Sequence, residues 1–259
     1  MKNYLFKLLP IIIGAALGWL IFNPPDWPAP SGAAGFLIGA GIVFALLIVS
    51  IVFSIGLTLP KEISLSPYAD AVDPSMRDLA GQIKNLGFVE AGGPMLVGIR
   101  PAAILMSFVH SGEPAYATIF RTGTVPAVTS YDFVSILEGS RGGLTTNTNW
   151  RGGTMPSGPG EFRQILTGAG PKEAFDAHRE GLRWLRDRGL PVREISAETF
   201  VADFKRALGR QRETFRSAPV KFAVIGLART ISKQVPQRGC LASQKGAESQ
   251  ARKLSAAGK

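Results

Sequence analysis

Two long apolar runs lie within the first sixty residues of this 259-residue chain, and no later run matches them in length. The first extends from Tyr4 to Phe22. The second extends from Ala33 to Leu57 and contains no charged side chain. A helix of about 20 apolar residues crosses the ~30 Å hydrocarbon core of a bilayer. The sequence therefore predicts that residues 1–60 form a transmembrane helical hairpin that anchors the rest of the chain.

The distribution of positive charge predicts the orientation of this hairpin. Lys2 and Lys7 lie at the start of the first run, and Lys61 follows the second. The connection between the runs, residues 23–32, contains Asp26 as its one charged side chain. Positively charged flanks favour the cytoplasmic side. We expect a multi-pass protein of a bacterial inner (cytoplasmic) membrane with both termini cytoplasmic. The alternative, a cleaved signal peptide in place of the first span, leaves the large domain on the same side.

Four glycines in the apolar runs have the spacing of a helix-packing motif. Gly14 and Gly18 are four residues apart, as are Gly35 and Gly39. Small residues at this spacing let helix backbones approach closely, which favours packing within the hairpin or a homodimer seam. Glycine is also simply common in membrane helices, which is the alternative explanation. Neither run carries an ionisable group deep within it, so we interpret the hairpin as an anchor rather than a transport path.

Residues 61–217 have the pattern of one α+β domain. A helix is predicted after Asp73, and two amphipathic helices are predicted at Pro171–Arg188 and from Ser196 to about Ser217. Between them lie five short runs rich in β-branched and aromatic residues. These runs are Met95–Ile99, Ala103–Val109, Ala115–Arg121, Val128–Leu137 and Leu144–Trp150. Short connections favour antiparallel neighbours. The predicted fold class is therefore α+β, with one helix, an antiparallel sheet of about five strands and two C-terminal helices.

Positive charge is concentrated at the C-terminal end of the chain. The net charge is +10, and 13 of the 29 basic residues follow residue 204, against two acidic residues there. We assign residues 218–259 to a basic amphipathic stretch and, from about residue 233, a disordered tail. The apolar stretch 220–231 is too short to span a bilayer. It either packs on the domain or lies in the membrane interface.

This basic segment predicts the partner of the C-terminal region. Each Lys or Arg near an anionic leaflet contributes ~1 kcal/mol of attraction. We therefore expect binding to the lipid bilayer and to anionic lipid head groups, and we do not expect binding to nucleic acid. The predicted membrane-surface residues are Lys221, Phe222, Leu227, Arg229 and Lys233.

Candidate chemistry is limited to one histidine and one polar strand. His178 lies on the apolar stripe of a predicted helix, and residues 145–149 form a row of Thr and Asn side chains. In a strand, Thr146 projects from one face and Asn147 from the other. His178 is either a core histidine with satisfied hydrogen bonds or a general base with a pKa near neutrality. The sequence has no nucleophile elbow, Walker loop or zinc-binding spacing, and we predict no cofactor and no metal.

These observations favour a membrane-anchored cytoplasmic binding or scaffolding module of unknown ligand. The alternative is a membrane-tethered hydrolase or transferase that uses His178 with Thr146 and Asn147. Catalysis by these three groups requires that they converge in one cleft. Their positions in the structure therefore distinguish the two hypotheses.

Three segments of the domain carry a resemblance to known sequences. They are His110–Phe120, Asp132–Asn149 and Phe175–Gly189, and the matching residues are His110, Tyr116, Thr146, Asn147 and His178. These segments resemble a loosely defined group of uncharacterised bacterial two-span membrane proteins with a cytoplasmic α+β domain. The insertion Ser140–Gly143 departs from the tight turn expected in that group. The resemblance implies the order of the elements and no particular reaction.

Overall fold

The structure, a computed structural model, describes residues 41–42, 45–46, 48–50, 52, 62–99, 102–122, 127–140, 142–148, 158, 160–222, 224–225, 240–244 and 246–256. The described positions between 41 and 52 are helical. Within the described part of the chain, no helix is both long and apolar enough to span a bilayer. The predicted hairpin, with Gly14, Gly18, Gly35 and Gly39, lies almost wholly outside these residues. The domain described below belongs to the unit Ser50–Lys259.

An eight-stranded sheet forms the centre of the domain. Its strands are β1 (Leu65–Pro67), β2 (Phe88–Glu90), β3 (Met95–Val97), β4 (Ala103–His110), β5 (Tyr116–Thr122), β6 (Val128–Ile136), β7 (Gly143–Asn147) and β8 (Glu161–Ile165). Their order is β1-β3-β4-β5-β6-β7-β8, and β2 also pairs with β4. All pairs are antiparallel except β7 with β8, which is parallel. The α+β class is confirmed. The prediction of about five strands, all antiparallel, is wrong.

The three strands that the sequence analysis missed are short or polar. β1 and β2 have three residues each, too few to show an alternating pattern. β8 has the sequence EFRQI, in which three of the five side chains are polar. Residues 148–160 connect β7 to β8. A connection of about a dozen residues is long enough for the chain to cross over and place β8 parallel to β7.

The α-helices that accompany the sheet include α1 (Pro74–Lys84), α2 (Pro171–Arg186), α3 (Phe200–Ser217) and α4 (Ala247–Ala256), and the described positions 219–222 and 224–225 are also helical. The Asp73 side chain caps α1 by accepting a hydrogen bond of 2.9 Å from the Ser75 backbone N–H. Pro171 opens α2, as predicted from its fixed φ angle. α3 begins at Phe200 rather than at Ser196, because residues 196–199 form a turn in which the Thr199 hydroxyl accepts from the Ser196 N–H.

The helices cover both faces of the sheet. α1 and α2 pack on one face, where Phe175 of α2 lies 5.2 Å from Phe133 of β6 between ring centroids. α3 lies on the other face, where Phe200 lies 5.2 Å from Tyr116 of β5. Because side chains alternate along each strand, neighbouring residues of β5, β6 and β7 point to different layers. We refer to the two sides as the α2 face and the α3 face.

The predicted disordered tail is in part ordered against the domain. Leu241 is 1% exposed and belongs to a cluster with Leu182 and Leu185 of α2. The side-chain amides of Gln244 and Gln250 donate to the backbone carbonyls of Arg163 and Glu161, at 2.9 and 3.2 Å. The segment thereby covers the outer edge of β8, whose carbonyls would otherwise lack partners. Ala247 and Ala251 are also buried, and Leu254 packs against the same cluster. Small alanine side chains among polar residues give a weak apolar signal, which is why the sequence predicted disorder.

Candidate functional site

A row of polar side chains crosses the α3 face of the sheet. Ser107 of β4 pairs with Thr118 of β5, Thr118 pairs with Asp132 of β6, and Asp132 pairs with Asn147 of β7. Residues paired across neighbouring strands share a face, and the strands lie about 4.8 Å apart. The register therefore brings a hydroxyl, a carboxyl and an amide side by side, although they are far apart in the sequence.

Part of this row forms the floor of a cavity of about 270 Å³ between the sheet and α3. Thr118, Asp132 and Asn147 line it from the sheet, with Thr145 beside them. The opposite wall is the inner face of α3. Aromatic rings from both sides contribute apolar surface: Tyr116, Phe120, Phe200 and Phe204. An apolar enclosure with a few convergent polar groups is typical of small-molecule sites.

A buried ionic cluster holds α3 over the cavity. The Asp203 side chain is 4% exposed and accepts a hydrogen bond of 3.0 Å from the Tyr116 hydroxyl. Its carboxylate also pairs with Arg193 and, at 3.3 Å, with Arg206. Burial is the main cause that raises the pKa of Tyr116 to about 12, so its hydroxyl stays protonated and continues to donate. The cluster joins the first two turns of α3 to β5, which keeps the helix in position without filling the cavity.

Two oxygens on the cavity floor have no hydrogen-bond partner among the described residues. They are Thr118 Oγ1 and Asn147 Oδ1, on side chains that are 3% and 8% exposed. Ser107 Oγ, in the same row, and Arg210 Nε, on α3, also lack a partner there. A buried polar atom without a partner costs about 1–3 kcal/mol, so few are retained in native proteins. Three of these atoms, on Thr118, Asn147 and Arg210, belong to residues that line the cavity, where a molecule that enters it would be able to complete their hydrogen bonds.

Asp132 is the ionisable group at the centre of the floor. Protein atoms surround its carboxyl, while part of its surface faces the cavity. Burial raises the pKa of Asp132 to about 7, although a hydrogen bond with Asn147 and the charge of Arg163 act in the opposite direction. Asp132 therefore exchanges its proton near neutral pH. A carboxyl with this property in a cavity is a candidate functional group.

Strand β8 contributes one charge of each sign to the cavity. Arg163 is 9% exposed, and its guanidinium lies 4.0 Å from the Glu161 carboxylate. Both side chains line the cavity beside Thr145, which pairs with Arg163 across β7 and β8. The parallel strand missed by the sequence analysis therefore supplies two of the charged residues of the site.

His178 lies on the α2 face, away from the cavity, and is completely buried. Its Nε2 lies 2.9 Å from Ser135 Oγ, and its Nδ1 lies 2.9 Å from Thr146 Oγ1. Because the Ser135 hydroxyl donates to the Pro114 carbonyl, it must accept from His178 Nε2–H. Thr146 then donates to Nδ1 and accepts from the Gln164 amide at 2.9 Å. His178 is thus a neutral tautomer with both ring nitrogens satisfied.

Burial lowers the pKa of His178 to about 3, so the ring stays neutral across the physiological range. The structure brings His178 and Thr146 together, but it leaves Asn147 on the opposite face of the sheet. The three residues of the hydrolase or transferase hypothesis therefore do not share a cleft. His178 has the geometry of the core histidine that the sequence analysis also considered.

The predicted membrane-surface residues are only partly described. Lys221 is exposed, and Phe222 stacks on Phe215 at the end of α3 with ring centroids 6.2 Å apart. This contact favours packing of the start of the 220–231 stretch on α3. Leu227, Arg229 and Lys233 lie outside the described residues. Nowhere in the described residues are three His, Cys, Asp or Glu side chains grouped so that they could hold a metal ion.

Sequence reasoning identified one of the floor residues and missed the others. Asn147 was a candidate, and the alternation that separates it from Thr146 was predicted correctly. Asp132 in the strand sequence YDFVSI has the ordinary pattern of a solvent-facing carboxylate. No local signal shows that α3 covers that face, because the contact depends on residues about seventy positions later.

No protein-family model, curated protein or solved structure matches this chain.

Proposed function

We propose that this domain is a binding module for a small molecule with both polar and apolar parts, and that the cavity between the sheet and α3 is its site. The observation that carries the proposal is the pair of unsatisfied oxygens on Thr118 and Asn147 beside Asp132. A ligand that supplies hydrogen-bond donors to this floor recovers the free energy lost by burying them. The aromatic rings provide the surface for its apolar part.

We favour a binding function over an enzymatic function in which His178 is the catalytic base. Both ring nitrogens of His178 already have partners, and the ring has no access to the cavity. The hydroxyl nearest to Asp132 on the floor, Thr118 Oγ1, makes no hydrogen bond to it. A nucleophile activated by a general base requires such a contact. The floor thus has the parts of a recognition site without the coupled pair of a nucleophilic enzyme.

The membrane location is the second part of the proposal. The two apolar runs at residues 4–22 and 33–57 support an anchor in a bacterial inner membrane, with the binding domain on the cytoplasmic side. The exposed side chains of Lys205, Arg206 and Lys221 support contact between anionic head groups and the part of the chain that contains α3. A module of this kind samples a cytoplasmic small molecule while it is held at the membrane surface.

A matched pair of tryptophan variants tests the binding site. Ala207 on α3 lines the cavity, whereas Ala202, on the same helix, is exposed. Saturation-transfer NMR of the full chain in detergent, with a panel of small aromatic amines, alcohols, amides and acids, should detect binders. Ala207→Trp should abolish their signals by filling the cavity, and Ala202→Trp should preserve them. Equal signals from the two variants, or no binder in the whole panel, would refute the proposed function.

A further inference from the structure

Resting on the proposed function, we propose that the ligand carries a primary ammonium group, which binds on the cavity floor at Asp132, beside Thr118 and Asn147, and an aromatic or aliphatic body that lies against Phe200 and Phe204. This inference assigns a chemical class of ligand, organic amines, to the cavity. It depends on the kind of hydrogen-bonding atoms on the floor and on the charges that surround them.

The floor offers three oxygens at consecutive positions across three strands. Asn147 Oδ1 can only accept a hydrogen bond, the ionised carboxylate of Asp132 can only accept, and the Thr118 hydroxyl can accept. A primary ammonium group has three N–H donors that diverge from one nitrogen. It can satisfy Asn147 and Thr118 and also neutralise Asp132. A hydroxyl ligand supplies one donor, and a carboxylate ligand supplies none.

Of the three side chains that form the floor, Thr118, Asp132 and Asn147, Asp132 alone can carry a charge. On β8, the positive charge of Arg163 is opposed by Glu161 at 4.0 Å. Asp203 of α3 pairs with two cations, Arg193 and Arg206, and because both guanidinium-bearing side chains are partly exposed, solvent screens their excess positive charge. On β5, Tyr116 is neutral. Arg163 offsets the charge of ionised Asp132, but Glu161 competes for the same guanidinium, so a ligand ammonium group would add to a counter-charge that Arg163 supplies in part.

Arg163 and Arg210 are the cationic side chains among the described residues that line the cavity, and Arg210 on α3 has no carboxylate partner there comparable to Glu161. The Nε of Arg210 lacks a partner there, and Arg210 projects from the helix rather than from the floor. A carboxylate bound to Arg210 would leave the oxygens of Thr118 and Asn147 without donors. A carboxylate bound on the floor would meet the carboxyl of Asp132 directly. The ammonium ligand satisfies the larger number of buried atoms.

Aromatic rings line the space above the floor. Phe204 stacks on Phe120 with ring centroids 6.0 Å apart, and Phe200 lies 5.8 Å from Phe204. The face of an aromatic ring attracts a nearby cation and also packs against an apolar body. The floor and walls together fit a molecule with one cationic end and one apolar end.

Proton release accompanies this binding mode. Because the pKa of Asp132 is about 7, a large part of the carboxyl is protonated in the free protein at neutral pH. An ammonium ligand selects the ionised form, so its affinity should rise about tenfold between pH 6 and pH 8. A ligand that accepts a hydrogen bond from protonated Asp132 would show the opposite dependence.

Three probes of similar shape test the inference: benzylamine, benzyl alcohol and benzoate. Isothermal titration of the full chain in detergent should show the tightest binding for benzylamine, with about tenfold higher affinity at pH 8 than at pH 6. Asp132→Asn, which keeps the side-chain volume, should remove both the preference for benzylamine over the other two probes and the pH dependence of its affinity. Ala202→Trp should leave benzylamine binding unchanged.

The outcomes separate this inference from the proposed function. If benzyl alcohol or benzoate binds as tightly as benzylamine, and Ala207→Trp abolishes that binding, the cavity is a ligand site but the ammonium inference is wrong. An affinity for benzylamine that does not change with pH, or that survives Asp132→Asn, also overturns the inference. Failure of all three probes to bind overturns it as well, and the wider NMR panel then decides the fate of the proposed function.

Discussion

Asp132 on β6 and Asn147 on β7 are directly paired across the sheet, and their side chains are hydrogen-bonded on the floor of a covered cavity. The amide holds the carboxyl in place, but it leaves its own oxygen without a partner among the described residues. An arrangement that only stabilised the fold would place apolar side chains at these positions. Under the proposed function, the pair lowers stability in exchange for a surface that binds the ligand, as is common at functional sites.

Asp132→Asn is expected to stabilise the domain at high pH. Folding raises the pKa of Asp132 from 3.8 to about 7, so the native state binds more protons than the unfolded state between these values. Stability falls as the pH rises through this window. The asparagine variant should therefore be more stable at pH 8 by on the order of 3 kcal/mol, a gain that fades as the pH falls toward 4.

Pulse proteolysis of the full chain in urea measures this difference at each pH. Ser130, a half-buried residue of the same strand, provides a control: Ser130→Ala should not alter the pH dependence. A destabilised Asp132→Asn variant at pH 8 would show that the carboxylate contributes net stability and is not strained by burial.

His178 should make the domain sensitive to acid. Its pKa is lowered from 6.5 to about 3 on folding, so the unfolded state binds more protons between these values. The contribution of neutral His178 to the free energy of unfolding is fully present above about pH 6.5. It falls by about 1.4 kcal/mol per pH unit as the pH falls toward 3.

His178→Ala should reduce stability at pH 7 by about 3 kcal/mol, because it leaves a cavity and removes the partners of Ser135 and Thr146. The same variant should lose stability less steeply than the natural chain between pH 6 and pH 4, as measured by urea-dependent proteolysis. Identical acid dependence in the two proteins would contradict the neutral, buried tautomer.

Much of the domain could be predicted because its signals are local. The Asp73-Pro74-Ser75 cap, the apolar stripe of α2 and the alternation along β7 each depend on a few adjacent residues. The separation of Thr146 from Asn147 follows from the two-residue period of a strand alone. These elements were found because neighbouring residues determine them.

The cavity could not be predicted because it depends on pairing register and on long-range packing. Asp132 and Asn147 are neighbours only because β6 and β7 pair in one register, and a shift of one residue would move Asn147 to the other face. Leu241 is buried only because the C-terminal segment returns to β8. Neither fact leaves a periodic pattern in the sequence.

Two glycine substitutions should have opposite effects. Gly142 has φ +148°, and a Cβ there would lie 2.0 Å from the Gly160 carbonyl oxygen, next to the hydrogen bond between Gly143 and Gly160. Gly142→Ala should destabilise the domain by about 3 kcal/mol. Gly209 lies within α3, and a Cβ added there would meet no heavy atom within 4 Å, so Gly209→Ala should stabilise by about 1 kcal/mol. Thermal unfolding in detergent measures the stability of both variants. Equal changes in stability for Gly142→Ala and Gly209→Ala would contradict the described junction between β7 and β8.

Charge reversal on and just after α3 should weaken contact with anionic lipid. Lys205 and Lys221 are exposed, and each nearby positive charge contributes about 1 kcal/mol at an anionic surface. In a chain that lacks residues 1–60, Lys205→Glu with Lys221→Glu should reduce binding to anionic vesicles by at least about fivefold at low salt. Lys172→Glu with Arg183→Glu, two exposed changes on α2 that alter the net charge equally, should have little effect. Equal losses in the two variants would indicate attraction by net charge alone rather than by this part of the chain.

The most direct test of the ligand site is a crystal structure of the full chain with a binder from the NMR panel. The account predicts density for the ligand in the cavity, with a donor atom within hydrogen-bonding distance of Asn147 Oδ1 and an apolar part against Phe204. Density for the ligand elsewhere on the chain, with the cavity collapsed by movement of α3 onto β6, would contradict it.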